Sequence, residues 1–183
     1  RSATGPNLLH FDGVKWSRVD PGAGQPLRGV RGRGRNDVYA VGPRGLVLHW
    51  DGSSWQSATA SDRDLYSVWI AGSDDVLAAG DSVIVRWNGT AWTQVLRQST
   101  GTLLFARMWG TDSSNIFAGA YDPYPPNKGV VLRWNGAAWK SSVTGLPIHV
   151  NDLWGTSGQD IYVVGDSASG TSTAVFRFDG AMW

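Results

Sequence analysis

The 183-residue chain contains no cysteine and no glutamate, and lysine occurs only three times. Without cysteine the chain forms neither disulfide bonds nor thiolate metal sites. Glutamate, lysine and methionine favour helices, so their scarcity beside many valines, threonines and tryptophans predicts an all-β protein. Charged residues make up 17% of the chain and the net charge is +1, which argues against capture of nucleic acid or acidic membranes. No run of 18 apolar residues is present, so we expect no membrane insertion.

A short motif, an aromatic residue followed by Asp/Asn-Gly-x-x-Trp, recurs five times, at 11–16, 50–55, 87–92, 134–139 and 178–183. Its closing tryptophans are spaced 39, 37, 47 and 44 residues apart. A second element, which ends in glycine, precedes four of these motifs, at 30–42, 68–80, 108–119 and 153–165. Self-similarity at this period is typical of repeat architectures. All eleven tryptophans fall within the repeat, which indicates packing roles rather than chemistry.

Each repeat divides into four short strands, called a to d in chain order, and in the second repeat these are 65–71, 75–79, 83–87 and 91–96. The Asp/Asn-Gly pair between strands c and d predicts a tight type I′ hairpin, in which both central residues have positive φ. Strand c is apolar on both faces, as expected for a sheet packed between two other sheets. Four-stranded units at this period predict the blades of a β-propeller rather than a sandwich or a barrel.

The blades form one domain, with a half blade at 7–19, which supplies only strands c and d, and four nearly complete blades at 27–58, 65–96, 103–143 and 148–183. We expect them to be part of a ring of five or more blades. Open sheet edges and apolar faces favour association. The half blade therefore predicts a truncated chain, complementary strands from another molecule, or self-association between copies.

The strand-turn-strand motif Asp-Gly-x-x-Trp resembles the Asp-box of bacterial neuraminidase repeats, which lies between the third and fourth strands of a propeller blade. The whole unit also resembles the tryptophan-rich propeller repeats of secreted or surface proteins of GC-rich soil bacteria. One departure is that phenylalanine or tryptophan stands where a full Asp-box has serine or threonine. The resemblance implies the propeller architecture and an extracellular or cell-surface location, but not an activity, because Asp-boxes occur in enzymes and non-enzymes.

Catalytic and cofactor motifs are not found in the sequence. The resemblance to neuraminidase repeats raises the question of sialidase chemistry. In that family a glutamate activates a tyrosine nucleophile, and this chain has no glutamate. Two Gly-Asp-Ser triplets, at 80–82 and 165–167, occupy one repeat position and read as turns. His10 and His49 occupy the repeat position that holds arginine in the other three repeats. Because arginine does not bind metals, this position predicts a cation over a neighbouring tryptophan ring rather than a metal ligand. We therefore expect no enzyme activity, no cofactor and no metal.

Candidate ligand-binding residues lie in the b–c loops, which vary in length and share one face of a propeller. The longest loop presents Tyr121, Tyr124 and Lys128 and contains prolines 123, 125 and 126, which reduce the cost of ordering it. Arg44 from the first complete blade is a charged partner for this loop. Arg31 stands where the other three blades have tryptophan and belongs to an arginine cluster that we interpret as a solvated turn or an anion site. The residues that we expect to line ligand-binding clefts between blades are Trp50, Trp87 and Trp134.

The sequence leaves the ligand open. The first hypothesis is non-catalytic recognition of a glycan or a protein at the cell surface, through the loop face or the clefts between blades. The alternative is a protein–protein scaffold or a structural spacer of a larger surface protein without its own ligand. A sialidase-like hydrolase ranks last.

Overall fold

The computed structural model describes residues 8–98, 103–124, 128–167 and 170–183, and it is built from β-strands. The seventeen strands of the described residues, in chain order, are β1 Leu8–Phe11, β2 Trp16–Val19, β3 Gly29–Gly34, β4 Asp37–Val41, β5 Leu46–Trp50, β6 Trp55–Thr59, β7 Leu65–Gly72, β8 Asp75–Gly80, β9 Val83–Trp87, β10 Trp92–Arg97, β11 Leu104–Asp112, β12 Asn115–Tyr121, β13 Gly129–Trp134, β14 Trp139–Leu146, β15 Ile148–Ser157, β16 Asp160–Ser167 and β17 Thr173–Phe178. A single 3₁₀ turn, Pro43–Gly45, interrupts them in this part of the chain. Among the described residues there is no helix that could span a lipid bilayer.

The strands form five antiparallel sheets, each made of consecutive strands. The half blade contains β1 and β2, blade 1 contains β3 to β6, blade 2 contains β7 to β10, blade 3 contains β11 to β14, and blade 4 contains β15 to β17. The predicted propeller blades and the half blade are thereby confirmed. Blade 4 has strands a to c in the described residues, because the chain reaches Trp183 after its c–d loop.

The core lies between the faces of neighbouring blades. One apolar cluster joins blades 1 and 2, and it contains Tyr39, Val41, Val47, Leu65, Val68, Val76, Ala78, Val83 and Val85. A larger cluster joins blades 2, 3 and 4, with Phe105, Phe117 and Ile161 fully buried in it. Burying one such side chain stabilises the fold by about 1.5–3 kcal/mol, so the blades hold one another together. The two-sided apolar pattern of strand c follows from this arrangement.

The connection between strands c and d corrects the predicted turn. Trp50 pairs with Trp55, so the loop contains four residues rather than the two of a type I′ hairpin. Gly52 has the predicted positive φ of 97°, but Asp51 does not. Instead, the Asp51 carboxylate accepts hydrogen bonds from the backbone N–H groups of Ser53 and Ser54, at 2.8 and 2.9 Å. A side chain that caps the turn replaces the second positive φ.

The same cap recurs in all five c–d loops. Asp12, Asn88, Asn135 and Asp179 each accept two backbone N–H groups through Oδ1, at distances between 2.8 and 3.1 Å. An aromatic pair closes each loop, with ring centroids 5.4 to 5.8 Å apart. The motif is thus a structural unit, repeated with either an acid or an amide as the cap.

One repeat position of strand c, called the column, is occupied by His49 and three arginines. Their side chains were predicted to lie over tryptophan rings. This is correct only for Arg86, whose guanidinium lies 5.3 Å from the Trp134 ring. His49 stacks on Tyr39 at 4.1 Å and bonds Asp37 at 2.9 Å. In the other blades the column arginines lie over the strand b rings of Phe117 and Tyr162. The reason is the strand b partner of the column residue, which is aromatic in blades 1, 3 and 4 but is Leu77 opposite Arg86 in blade 2.

Candidate functional site

One concave surface of the described residues is lined by strand a of four blades. Strands β3, β7, β11 and β15 contact one another in that order, so they lie side by side. Together they line a cavity of about 370 Å³, called the inner groove, whose walls are 28–31, 66–68, 107–109 and 152–154. Each wall comes from a different blade, so blades 1 to 4 all contribute to this surface.

A row of adjacent aromatic side chains, with an arginine at one end, runs across the four strands of the inner groove. The Arg31 guanidinium lies 4.4 Å from the Trp69 ring, and the rings of Trp69 and Trp109 are 6.4 Å apart. Trp154 continues the row, 6.4 Å from Trp109, and is 57% exposed. Arg31 therefore occupies the tryptophan column, as the repeat alignment predicted, and the row ends in a cation at one side and an open indole face at the other.

The charges of the inner groove are mostly positive. Arg28, Arg31 and Arg107 line it, against the single carboxylate of Asp152. Arg107 lies 3.7 Å from that carboxylate, and both side chains are at least half exposed. An exposed ion pair of this length holds its partners weakly. The guanidinium of Arg107 is therefore available to a ligand that offers a carboxylate or a carbonyl oxygen.

The inner groove continues into a second cavity of about 370 Å³ at the end where the b–c loops lie, and Arg28, Tyr66, Arg107 and Tyr121 are among its walls. Here the Tyr66 hydroxyl donates a hydrogen bond to Asp81 at 2.7 Å, and Arg28 lies over the Tyr66 ring at 4.8 Å. Burial, followed by the bond to Asp81, raises the pKa of Tyr66 to about 12. Tyr66 is thus a neutral hydroxyl that anchors the wall.

The structure brings some of the loop residues predicted from the sequence together with this second cavity. Tyr121 lines it, stacked on His149 with ring centroids 4.5 Å apart. Asp64 connects the second cavity to blade 1. One of its carboxylate oxygens pairs with Arg28 at 2.9 Å, and the other accepts a hydrogen bond from the backbone N–H of Arg44 at 2.9 Å. Arg44 and Tyr121 therefore border the same end of the molecule, one whole blade apart.

Tyr124 and Lys128, the other two loop candidates, are exposed but line neither cavity. The Tyr124 backbone N–H bonds the Asp122 carboxylate, which holds the start of the loop in a turn. Prolines 125 and 126, which were expected to stiffen the loop, lie outside the described residues.

The predicted tryptophan clefts differ from one another. Trp87, with Trp92, lines a cleft of about 130 Å³ against Tyr39, His49 and Gln56 of blade 1. Trp134 is buried, and its indole N–H donates to the Ser113 carbonyl at 3.0 Å, so it packs instead of lining an open cleft. Trp50 is half-buried and pairs with Trp55 across the c–d loop.

Catalytic and metal-binding geometry is not evident in the described residues. No group of three or more His, Asp or Glu side chains in this part of the chain is arranged to hold a metal ion. Burial raises the pKa of Tyr39 to about 12, as it does for Tyr66, which is the opposite of what an activated tyrosine nucleophile needs. Loop hydrogen bonds lower the pKa of the capping aspartates Asp12, Asp51 and Asp179, so these are fixed anions rather than proton donors.

Sequence reasoning missed the central residues of the inner groove, Arg107 and Trp154 above all. One signal could have found Arg107. The strand a column that contains Arg107 holds glycine, serine and aspartate in the other blades, at Gly29, Ser67 and Asp152. Arg107 is the one long cationic side chain in this column, and this departure from the repeat distinguishes it.

Comparison with known proteins shows the fold. No protein-family model matches the chain, and no curated protein matches it. A solved structure described as YCF48 bound to D1 peptide superposes with a TM-score of 0.61 at 16% identity, covering 96% of this chain and 58% of the other. YCF48 from Cyanidioschyzon merolae gives 0.60 at 14% identity, covering 95% and 61%. A chain in the crystal structure of the mitotic checkpoint complex gives 0.61 at 16% identity, covering 90% and 52%.

The chain thus spans between about half and three fifths of the length of these solved chains. At this level of identity the comparison concerns architecture alone. It agrees with the blades described above.

Proposed function

We propose that this chain is a non-catalytic recognition propeller whose inner groove binds an extended segment of a partner protein. The observation that carries the proposal is the groove itself, to which strand a of four blades contributes arginines, an exposed tryptophan and backbone. Aromatic and arginine side chains are the residues that most often dominate the energy of protein interfaces. A propeller of similar fold is described as bound to a peptide, so this architecture is compatible with such a role.

The test is selection of binders from a peptide library on the immobilised chain, followed by affinity measurement with two tryptophan variants. Trp154→Ala removes the exposed indole of the groove, and we expect it to weaken binding at least about tenfold. The matched control is Trp16→Ala, because Trp16 is equally large, 67% exposed, and lies on the half blade outside the groove. Equal loss in both variants, or no loss with Trp154→Ala, would contradict the proposal.

A second candidate function is glycan binding, and the cleft lined by Trp87 and Trp92 favours it. Its indole rings, beside Gln56 and His49, combine an apolar wall with hydrogen-bonding groups, which is the composition of a small-ligand site. A glycan array with wild type and Trp92→Ala tests this candidate. Binding that depends on Trp92 and not on Trp154 would assign ligand binding to the cleft instead of the inner groove.

We also propose an extracellular or cell-surface location and kinship with Asp-box repeats. The support for the kinship is the capping Asp or Asn in all five c–d loops, as in the 51–54 and 88–91 loops. Protease treatment of intact cells that express the tagged protein tests the location. Full protection of the tag would contradict it.

A further inference from the structure

The half blade corresponds to strands c and d of the repeat that blades 1 to 4 share. β1 occupies the position of strand c, and in blades 1 to 4 this strand pairs with strand b. Among the described residues β1 pairs only with β2, so the edge of β1 that faces away from β2 offers free backbone groups. An edge of this kind is a template for an added strand.

Part of the face of blade 1 is also open. Val30 is 59% exposed, whereas the residues at its repeat position in blades 2, 3 and 4, Val68, Met108 and Leu153, are 5%, 5% and 4% exposed. In those blades, strands a and b of the preceding blade cover the position. The other face residues of blade 1, Ala40 and Leu48, are fully buried. The uncovered area of blade 1 is therefore the part that an inner pair of strands would cover.

Gly13 gives an independent indication that the half blade is not covered by an a–b turn. A Cβ placed on the equivalent Gly52 or Gly89 would lie 2.7 Å from Asn36 or 3.0 Å from Asp74, residues of the a–b turn in the same blade. A Cβ on Gly13 would meet no described atom within 4 Å. The c–d loop of the half blade has the same backbone form, with a φ of 100° at Gly13, but no described turn packs on it.

His10 shows which chemistry the site would accept. It shares the column of His49, Arg86 and Arg177, and each of these bonds the aspartate that begins strand b of its own blade, at 2.9, 2.6 and 2.7 Å. Asn115 does the same for Arg133 in blade 3. No such bond to His10 is present among the described residues. A strand that begins with aspartate or asparagine would supply it.

We propose that the edge of β1 and the face of blade 1 around Val30 form an acceptor site for a two-stranded antiparallel β-hairpin. The hairpin pairs its second strand with β1, covers Val30 with apolar side chains, and places an aspartate or asparagine against His10. An aromatic residue in its first strand lies over Arg31, which is then held between two rings, as the column of Trp69, Trp109 and Trp154 indicates. The partner is thus a hairpin with the pattern of this protein's own a–b elements.

The probe for the test is a fluorescent synthetic peptide with the sequence of residues 65–80, the a–b hairpin of blade 2. It carries Trp69 in its first strand and Asp75 at the start of its second. We expect saturable binding to the 183-residue chain by fluorescence anisotropy, and none for a scrambled peptide of the same composition. Hydrogen exchange should slow in β1 on binding and stay unchanged in β17, which is also an edge strand among the described residues.

A matched pair of variants locates the site. Val30→Asp places a charge on the acceptor face and should weaken peptide binding at least about tenfold. Val175→Asp makes the same change at a residue that is 65% exposed on blade 4, and binding should be retained. Both side chains are exposed, so circular dichroism should show the wild-type spectrum for each.

Three results would overturn the proposal: no saturable binding up to about 1 mM peptide, equal effects of the two variants, or protection in β17 in place of β1. Self-association of the chain that Val30→Asp removes, without peptide binding, would assign the face to a second copy and also overturn it. Val30 and Arg31 also line the inner groove, so Trp154→Ala, at a residue outside the acceptor site, keeps the tests of the two proposals separate.

Discussion

At the scale of single residues, the glycine of each c–d loop is fixed by two separate constraints. One is the positive φ, which costs free energy for any residue with a Cβ. The other is contact with the a–b turn of the same blade, which is present in blades 1 to 4 and, among the described residues, absent from the half blade. The half blade and blade 2 therefore provide a comparison in which the backbone conformation is shared and the packing differs.

We predict that Gly89→Val lowers the free energy of unfolding by about 1–3 kcal/mol, because it adds both strain at a φ of 90° and a contact near 3.0 Å with Asp74. Gly13→Val, with the same strain and open space around it, should cost less. Urea unfolding of the two variants measures the difference. Equal losses would show that packing on the a–b turn contributes nothing, and an unchanged Gly89→Val variant would refute the loop conformation.

A buried hydroxyl links two blades at the same scale. The Ser67 side chain is buried, and its Oγ accepts the backbone N–H of Met108 at 3.0 Å. Ser67→Ala leaves that buried N–H without this acceptor, so we expect a loss of about 1–3 kcal/mol in the free energy of unfolding. The control is Ser57→Ala, an exposed position on β6, which should be close to neutral. Thermal unfolding of both variants decides whether the bond contributes.

At the scale of elements, the c–d loops couple stability to pH. Three of the five loops are capped by aspartates whose pKa is lowered below the ordinary 3.8 by backbone and side-chain hydrogen bonds to the carboxylate. A group with a lowered pKa in the folded state stabilises the fold above the unfolded-state value. That contribution disappears as the pH falls through the folded-state value. The asparagine caps of blades 2 and 3 do not titrate.

We therefore predict that the triple variant Asp12→Asn, Asp51→Asn and Asp179→Asn unfolds at nearly the wild-type temperature at pH 7, since Asn88 and Asn135 make the same bonds. Between pH 5 and pH 2 its melting temperature should fall less steeply than that of the wild type. Thermal unfolding across this pH range is the measurement. Parallel pH curves would show that these carboxylates add no pH-dependent stability.

The strands could be predicted from the sequence because the repeat shows every element several times. In blade 2 the predicted strands agree with β7 to β10 within one residue at each end. The loop type could not be predicted in this way, because Asp-Gly is compatible with a two-residue turn as well as with a side-chain cap. Only the pairing of Trp50 with Trp55 distinguishes them.

The site was less predictable for a related reason. Tyr121 was identified because its loop is longer than the others, which a single sequence shows directly. Arg107 and Trp154 lie inside regular strands, where the sequence pattern reads as packing. Their exposure depends on how the blades are arranged around the inner groove, which is a property of the tertiary fold.

At the scale of the whole molecule, the two ends of the blade series expose apolar faces. Leu9 and Trp16 are exposed at the half blade, and Val164 and Val175 at blade 4, although the residues equivalent to Val175 in blades 1 to 3 are 0–2% exposed. Contiguous exposed apolar surface favours association. We predict that the isolated chain associates in a concentration-dependent manner and that the double variant Val164→Asp and Val175→Asp shifts it toward monomer. Analytical ultracentrifugation measures this, and a wild-type chain that stays monomeric at about 100 µM would contradict it.

The proposed recognition of a peptide by the inner groove can be tested by hydrogen exchange with mass spectrometry. A peptide selected from a library on the chain is added, and exchange rates of the strands are compared with and without it. Slower exchange confined to the inner strands β3, β7, β11 and β15 is the predicted result. Protection of the c–d loops or of the strands around Trp87 and Trp92, with the inner strands unchanged, would contradict the claim.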